Sequence, residues 1–129
     1  LACHYWKFNP IVHKDCAKLN LQDVSRIKQH LKRNHYHDYY CDDCWETFPT
    51  QNKYRQHRDH RSCHRQADQH RFMTHQQSNQ LSKSSRRYLS ETEKWFAVWD
   101  MLFPDHRQPE SPDIDSTLSA ELNSFREFV

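Results

Sequence analysis

The stretch Cys41–Cys63, CDDCWETFPTQNKYRQHRDHRSC, decides how the chain is read. Two residues separate Cys41 from Cys44, twelve separate Cys44 from His57, and five separate His57 from Cys63. Zinc takes four ligands at tetrahedral corners. A two-cysteine knuckle, followed by a histidine and a fourth ligand near the end of a helix, supplies them. Apolar residues fall in the matching places: three residues lie between Cys44 and Phe48, five between Phe48 and Tyr54, and two between Tyr54 and His57. In a ββα zinc finger these two positions form the small core between hairpin and helix. His60 competes for the fourth ligand. Only two residues separate it from His57, closer than the usual three to five, so Cys63 is preferred.

A second ligand set lies upstream: Cys3, Cys16, His30 and His35. Thirteen residues run from Cys16 to His30 and four from His30 to His35, with Leu21 and Ile27 standing where Phe48 and Tyr54 stand downstream. The departure is the twelve-residue gap between Cys3 and Cys16, filled by HYWKFNPIVHKD. Its aromatics, its Asn9-Pro10 turn signal and its Ile11-Val12 pair read as two short strands enlarging the hairpin. His4 and His13 are rival ligands here, with a surface histidine the plainer reading of each. Val24, Ile27 and Leu31 recur at i, i+3 and i+7, which predicts a helix from Asp23 or its neighbour to about Arg33. Thr50, after Pro49, is the predicted N-cap of the downstream helix.

These two sets place eight ligands around two zinc ions. The fold expected is small, α+β and zinc-stabilised: two tandem ββα fingers followed by two or three C-terminal helices. The first finger covers residues 1–36 with its enlarged hairpin, and the second covers 37–63. Residues 64–88 form a polar, basic linker in which Thr74-x-x-Gln77 predicts a short helix near 74–83. Its histidines, with no cysteine left over and irregular spacing, do not suggest a third metal site. Residues 89–129 form an acidic helical region packing on the fingers or on itself. Ser90-x-x-Glu93 opens a helix carrying Trp95, Phe96, Val98, Trp99, Leu102 and Phe103, and ending before Pro104. A last helix is expected from about Ser116, with Leu118, Leu122, Phe125 and Val129 on one face.

Composition agrees with a metal-stapled chain. Of 129 residues 35% are hydrophobic, and the mean hydropathy is −1.19, too polar for a large core along the whole length. Five cysteines are an odd number for a disulfide framework, and the metal reading places all five, which suits a reducing compartment, nuclear first and cytosolic second. The absence of glycine excludes Gly-rich phosphate loops. No apolar run is long enough for a membrane span, and no secretory signal stands out. The sequence begins at Leu1 and stops at Val129 inside a helical pattern, as expected of a piece of a longer protein. Charge is divided: residues 1–88 carry 16 Lys and Arg against 8 Asp and Glu, and residues 89–129 carry 3 against 9. A basic front half suits an acidic partner, nucleic acid above all.

The chain resembles a family of fungal zinc-finger proteins. The runs that carry the resemblance are LACHYWKF, VSRIKQHLKRNH, CDDCWETF, RSC, TEKWFAVWDMLFP and ESPDID, and they cover nearly its whole length. It implies the same eight ligands and two zinc sites, and no particular activity. His4 stands where the family usually has Pro, which keeps His4 open as an alternative ligand.

Function then turns on the finger helices. Counted as in groove-reading fingers, the base-facing positions are Asp23, Arg26 and Gln29 in the first and Thr50, Lys53 and Gln56 in the second. Arg and Lys read guanine and Gln reads adenine. Lys28, Lys32, Arg55 and Arg58 are candidate phosphate contacts. Duplex DNA binding is therefore the first expectation. A protein-interaction module using the aromatic hairpin or the Trp-rich helix is the alternative, and RNA stacking on Tyr36, Tyr39 and Tyr40 is a third reading. The five-residue connection YHDYY is shorter than the usual linker between groove-following fingers, so the two units should pack together. No enzyme, membrane association or small-molecule substrate is expected, because four protein ligands per zinc leave no open position.

Overall fold

In the computed structural model, residues 1–60, 63–83 and 88–114 are described. Among these residues five α-helices follow one another: α1 (His4–Phe8), α2 (Val24–Asn34), α3 (Gln51–His60), α4 (His75–Leu81) and α5 (Glu91–Leu102), with a 3-10 turn at Lys14–Cys16. The expectation of two ββα fingers is overturned. Among the described residues there is no strand, only two isolated bridges, Tyr36 with Met73 and Tyr40 with Thr47. The helix expected from about Ser116 lies outside the described residues.

Each lost hairpin has its own cause. Ala2 through Trp6 are buried without a break. A strand sends successive side chains to opposite faces, so this run would need cover on both faces and a partner for its backbone. It turns helical instead and satisfies its own amides, Lys7 N–H reaching Cys3 C=O at 3.1 Å and Asn9 N–H reaching Tyr5 C=O at 2.9 Å. Pro10 ends the helix by disfavouring the α conformation at Asn9, which sits at φ −144°, ψ 88°. Downstream, Cys41 N–H bonds to Glu46 C=O (2.9 Å) and Phe48 N–H to Tyr39 C=O (2.8 Å), but the pairing stops there. Pro49, next in the chain, has no N–H to extend it. The knuckle needs a left-handed residue, and with no glycine in the chain it falls on Trp45 at φ 64°. Trp45 is held there by its indole N–H, which donates to Gln66 C=O at 2.9 Å.

The helices start where their caps put them. Asp23 accepts from Arg26 N–H, while Thr74 with Gln77 and Ser90 with Glu93 form reciprocal capping boxes. Thr50 Oγ1 accepts from Lys53 N–H at 3.3 Å.

The core lies between α1, α2 and α5. Tyr5, Ile27, Leu31, Met73, Trp95, Leu102 and Phe103 are essentially inaccessible. Helices brace one another through polar contacts: Glu91 of α5 accepts from Val24 N–H at the start of α2 (2.8 Å), and Gln77 of α4 donates to Leu102 C=O at the end of α5 (3.1 Å). Trp95 donates its indole N–H to Ala2 C=O (2.9 Å), and His4 stacks on its ring at 4.1 Å. His4 Nε2–H donates to Trp95 C=O (2.9 Å), which leaves Nδ1 buried without a partner. Burial keeps this imidazole neutral by lowering its pKa to about 3.

Trp95 therefore joins α5 to the N-terminal segment by packing and by two hydrogen bonds. Trp95→Ala should lower the unfolding free energy by about 3–5 kcal/mol, read from the midpoint of denaturant unfolding at saturating zinc.

Candidate metal centres

Four side chains from three segments converge inside the core. Cys3 precedes α1, Cys16 ends the 3-10 turn, His30 lies in α2, and His35 follows its last residue. Cys3 Sγ lies 3.3 Å from Nε2 of both His35 and His30, and Cys16 Sγ lies 3.5 Å from the same two nitrogens. Zn–S bonds of about 2.3 Å and Zn–N bonds of about 2.0–2.1 Å at tetrahedral angles require S···N separations of about 3.5 Å. The second set repeats the geometry: Cys44 Sγ is 3.4 Å from His57 Nε2, and Cys41 Sγ is 3.8 Å from Cys63 Sγ. The tetrahedral S···S separation is also about 3.8 Å. Within each tetrad all four ligand atoms lie within 4.8 Å of one another. The two tetrads, Cys3/Cys16/His30/His35 and Cys41/Cys44/His57/Cys63, fit two zinc ions.

Protonation supports the fit. The Cys3 and Cys16 thiols share a hydrogen bond that pushes Cys3 up, helped by burial, and holds Cys16 down, so a cation is needed for both to ligate as thiolates. Burial holds His35 down to about 3, helped by the neighbouring histidines, and it lowers His30 as well, which keeps both imidazoles in the neutral, ligating form. At Cys41 burial pushes the thiol up, but the amides of Cys44 and Asp43, with the His57 and Cys44 side chains, outweigh it and bring it to about 7. Burial and the Cys41 and Cys44 thiols push Cys63 up to about 11.

One ring-orienting residue escapes the sequence reading. The Asn34 side-chain amide sits 3.0 Å from His30 Nδ1, whereas the Glu46 carboxylate, 3.9 Å from His57 Nδ1, is beyond hydrogen-bond reach. Partners on the distal nitrogen fix how a metal-binding imidazole points. The signal for Asn34 was available, since it stands four residues after His30 on the same helix face.

The rival ligands stand apart from the tetrads. His4 is committed to Trp95, His13 lies edge-on to the His35 ring at 5.2 Å, and His60 is exposed.

The candidate nucleic-acid residues divide between the two helices. On α2, Arg26 and Gln29 are exposed, but Lys28 donates to Lys83 C=O and Lys32 to Ser82 Oγ, so both reach the chain at the end of α4. On α3, Lys53, Arg55 and Gln56 are exposed and make no side-chain hydrogen bond or ion pair among the described residues. Arg58 pairs with Asp42 at 3.2 Å and lies over the Tyr54 ring. Comparison with family models, with curated proteins and with solved structures finds no match.

The two centres differ in what depends on them. The first lies in the main core, whereas α3 at the second contains no buried residue. Cys16→Ser should therefore abolish cooperative folding, while Cys44→Ser should cost only the helical signal of α3. Metal analysis and far-UV circular dichroism together check this, with two zinc equivalents expected for the unaltered chain. Structural zinc contributes on the order of 10–16 kcal/mol in finger peptides, enough for either loss.

Proposed function

We propose that this is a non-enzymatic, zinc-stapled module that binds duplex DNA through α3, in the nucleus. One observation carries the proposal. A helix that buries no residue of its own is anchored by a metal tetrad, and it turns Lys53, Arg55 and Gln56 outward with no partner among the described residues. Zinc supplies the rigidity that packing would otherwise supply, so the exposed face is preorganised for a ligand. The chemistry of that face suits nucleic acid: Lys53 for guanine, Gln56 for adenine, and Arg55 for phosphate. Arg26 and Gln29 of α2 are the remaining candidate base contacts. Lys28 and Lys32 are weaker phosphate candidates, because both are engaged by the end of α4.

The alternative of a protein-interaction module loses the surfaces first considered for it. Trp6, Trp95, Trp99 and Phe103 are all buried in the core and offer no face to a partner. The absence of an enzymatic role rests on the tetrads themselves, since four protein ligands close a tetrahedral zinc. Kinship with the fungal zinc-finger proteins belongs to the same proposal and rests on the motif runs alone.

The test is a salt-titrated duplex-binding assay on the zinc-loaded chain. Lys53→Ala should cost about 1–3 kcal/mol on a preferred site and relax base preference there. Arg55→Ala should weaken all sequences alike and reduce the salt slope by about 1, and Lys28→Ala should change neither. Duplex binding that is undetectable near physiological salt, or indifferent to α3 substitutions, would refute the proposal.

A further inference from the structure

The two zinc centres differ in sulfur content, in access and in what supports the chain around them. The first holds two cysteines, Cys3 and Cys16, both buried in the core. The second holds three: Cys41 is buried, while Cys44 and Cys63 are partly exposed. A cavity of about 320 Å³, lined by Cys41, Asp43, His57, Arg58 and Cys63, opens beside it. Cys41 and Cys63 face each other there with their sulfurs 3.8 Å apart. Cys63 lies in irregular chain outside any helix, so it can move without breaking a helical ladder. A disulfide needs an S–S distance of about 2.0 Å.

We propose that the Cys41–Cys63 pair is an oxidation site for small hydroperoxides, and that forming a disulfide there releases the second zinc while the first is kept. The partly exposed Cys63 thiolate attacks the peroxide O–O bond, forming a sulfenic acid and expelling hydroxide, the leaving group when the peroxide is hydrogen peroxide. The other thiolate attacks that sulfur, the S–S bond forms, and a second hydroxide leaves. The two sulfurs give up two electrons, the peroxide is reduced, and the two hydroxides take up protons from solvent. Cys44 and His57 remain as a two-ligand remnant, too few for a structural zinc site. The first centre is protected twice over. It has no partly exposed cysteine such as Cys63 from which attack could begin, and its surroundings include Tyr5, Ile27, Leu31 and Trp95, which would have to open before peroxide could enter.

The consequence falls on α3. Its ten residues include none that are buried, and a helix of that length is marginal alone in water. Zinc loss at the second centre should therefore melt α3 while the core persists. The regulated helix is the proposed DNA contact, and to that extent the consequence for binding rests on that reading; the redox chemistry does not.

The experiment titrates the zinc-loaded full chain with hydrogen peroxide. It follows free zinc with a chromogenic chelator, helicity by circular dichroism, and cysteine pairing by peptide mapping. The expected result is release of one of the two zinc equivalents, a Cys41–Cys63 disulfide, loss of α3 helicity, and a retained cooperative unfolding transition of the core. Thiol reductant with added zinc should reverse all of it. Cys63→His keeps four ligands without the second thiol of the pair and should hold its zinc against the same dose. Release of both ions together, release of neither, or a Cys41–Cys44 or Cys3–Cys16 bond in the unaltered chain would overturn the proposal, and the map of the unaltered chain decides even if the variant binds no zinc. Because none of these readouts uses DNA, a negative result here is separable from failure of duplex binding by the reduced protein.

Discussion

The fold depends on the convergence of Cys3, Cys16, His30 and His35 in the middle of the core. In a free-standing finger the metal substitutes for a core. Here the ligand cysteines, Cys3 and Cys16, are part of one. Tyr5 stacks on the His35 ring at 4.5 Å and meets Phe103 edge-on at 5.3 Å, so Tyr5 links a ligand of the first tetrad to the C-cap residue of α5. Met73 N–H donates to the carbonyl of that same His35 (2.7 Å), which ties the approach to α4 to the ligand's backbone. Zinc at this position would therefore fix three chain segments and, through them, the seat of α5. The buried His4 with its unpartnered Nδ1 is tolerated for the same reason, since its ring fills the space against Trp95 that closes this core.

Ligand positions were legible in the sequence because zinc constrains them locally. The spacings between Cys41 and Cys63, and from Cys16 through His35, are dictated by a knuckle, a helix and a bond length, none of which needs knowledge of the rest of the chain. Caps were legible for the same reason: Asp23, Thr74 and Ser90 each bond within three residues of themselves. The hairpins were not. The aromatic and β-branched content of residues 4–15 suggests strands, but β propensity describes how well a side chain suits a half-buried surface, and the run from His4 to Trp6 is buried on all sides. What surrounds it is α5, some ninety residues away, and nothing local to HYWKF announces that. Ile11 and Val12, expected in a strand, are instead largely exposed, at 69% and 51%.

The second unit shows how little apolar material such a centre needs once it can lean on a neighbour. Tyr40 stacks against Trp45 (5.9 Å) and His75 (4.5 Å) and meets Phe72 edge-on, and its hydroxyl accepts from His75 N–H at 2.8 Å. This cluster joins the knuckle of the second tetrad to the start of α4, so the left-handed Trp45 both closes the knuckle and packs it against the segment leading into α4. Aromatic pairs are worth about 0.5–1.5 kcal/mol each beyond the area they bury, of the same order as the strain of holding a non-glycine residue at positive φ.

That cluster also bears on how α3 is aimed. Independent fingers on flexible linkers take their relative orientation from the groove they follow. Here five residues connect His35 to Cys41, and two of them, Tyr36 and Tyr40, are pinned: Tyr36 by its bridge to Met73 and its contact with His75, and Tyr40 by the aromatic cluster. The connection is a braced element, so the direction of α3 relative to α2 is set by the protein. Any ligand on both Lys53 and Arg26 must then match a fixed geometry, whereas a ligand on α3 alone need not. The engagement of Lys28 and Lys32 by the end of α4 points the same way, because it withdraws charge from α2, whereas Lys53 and Arg55 of α3 have no hydrogen-bond or ion-pair partner among the described residues. A rigid connection also means that melting α3 removes the contact surface without loosening the rest, since Tyr36 and Tyr40 are held by Met73, Phe72 and His75, which are not ligands of the second tetrad.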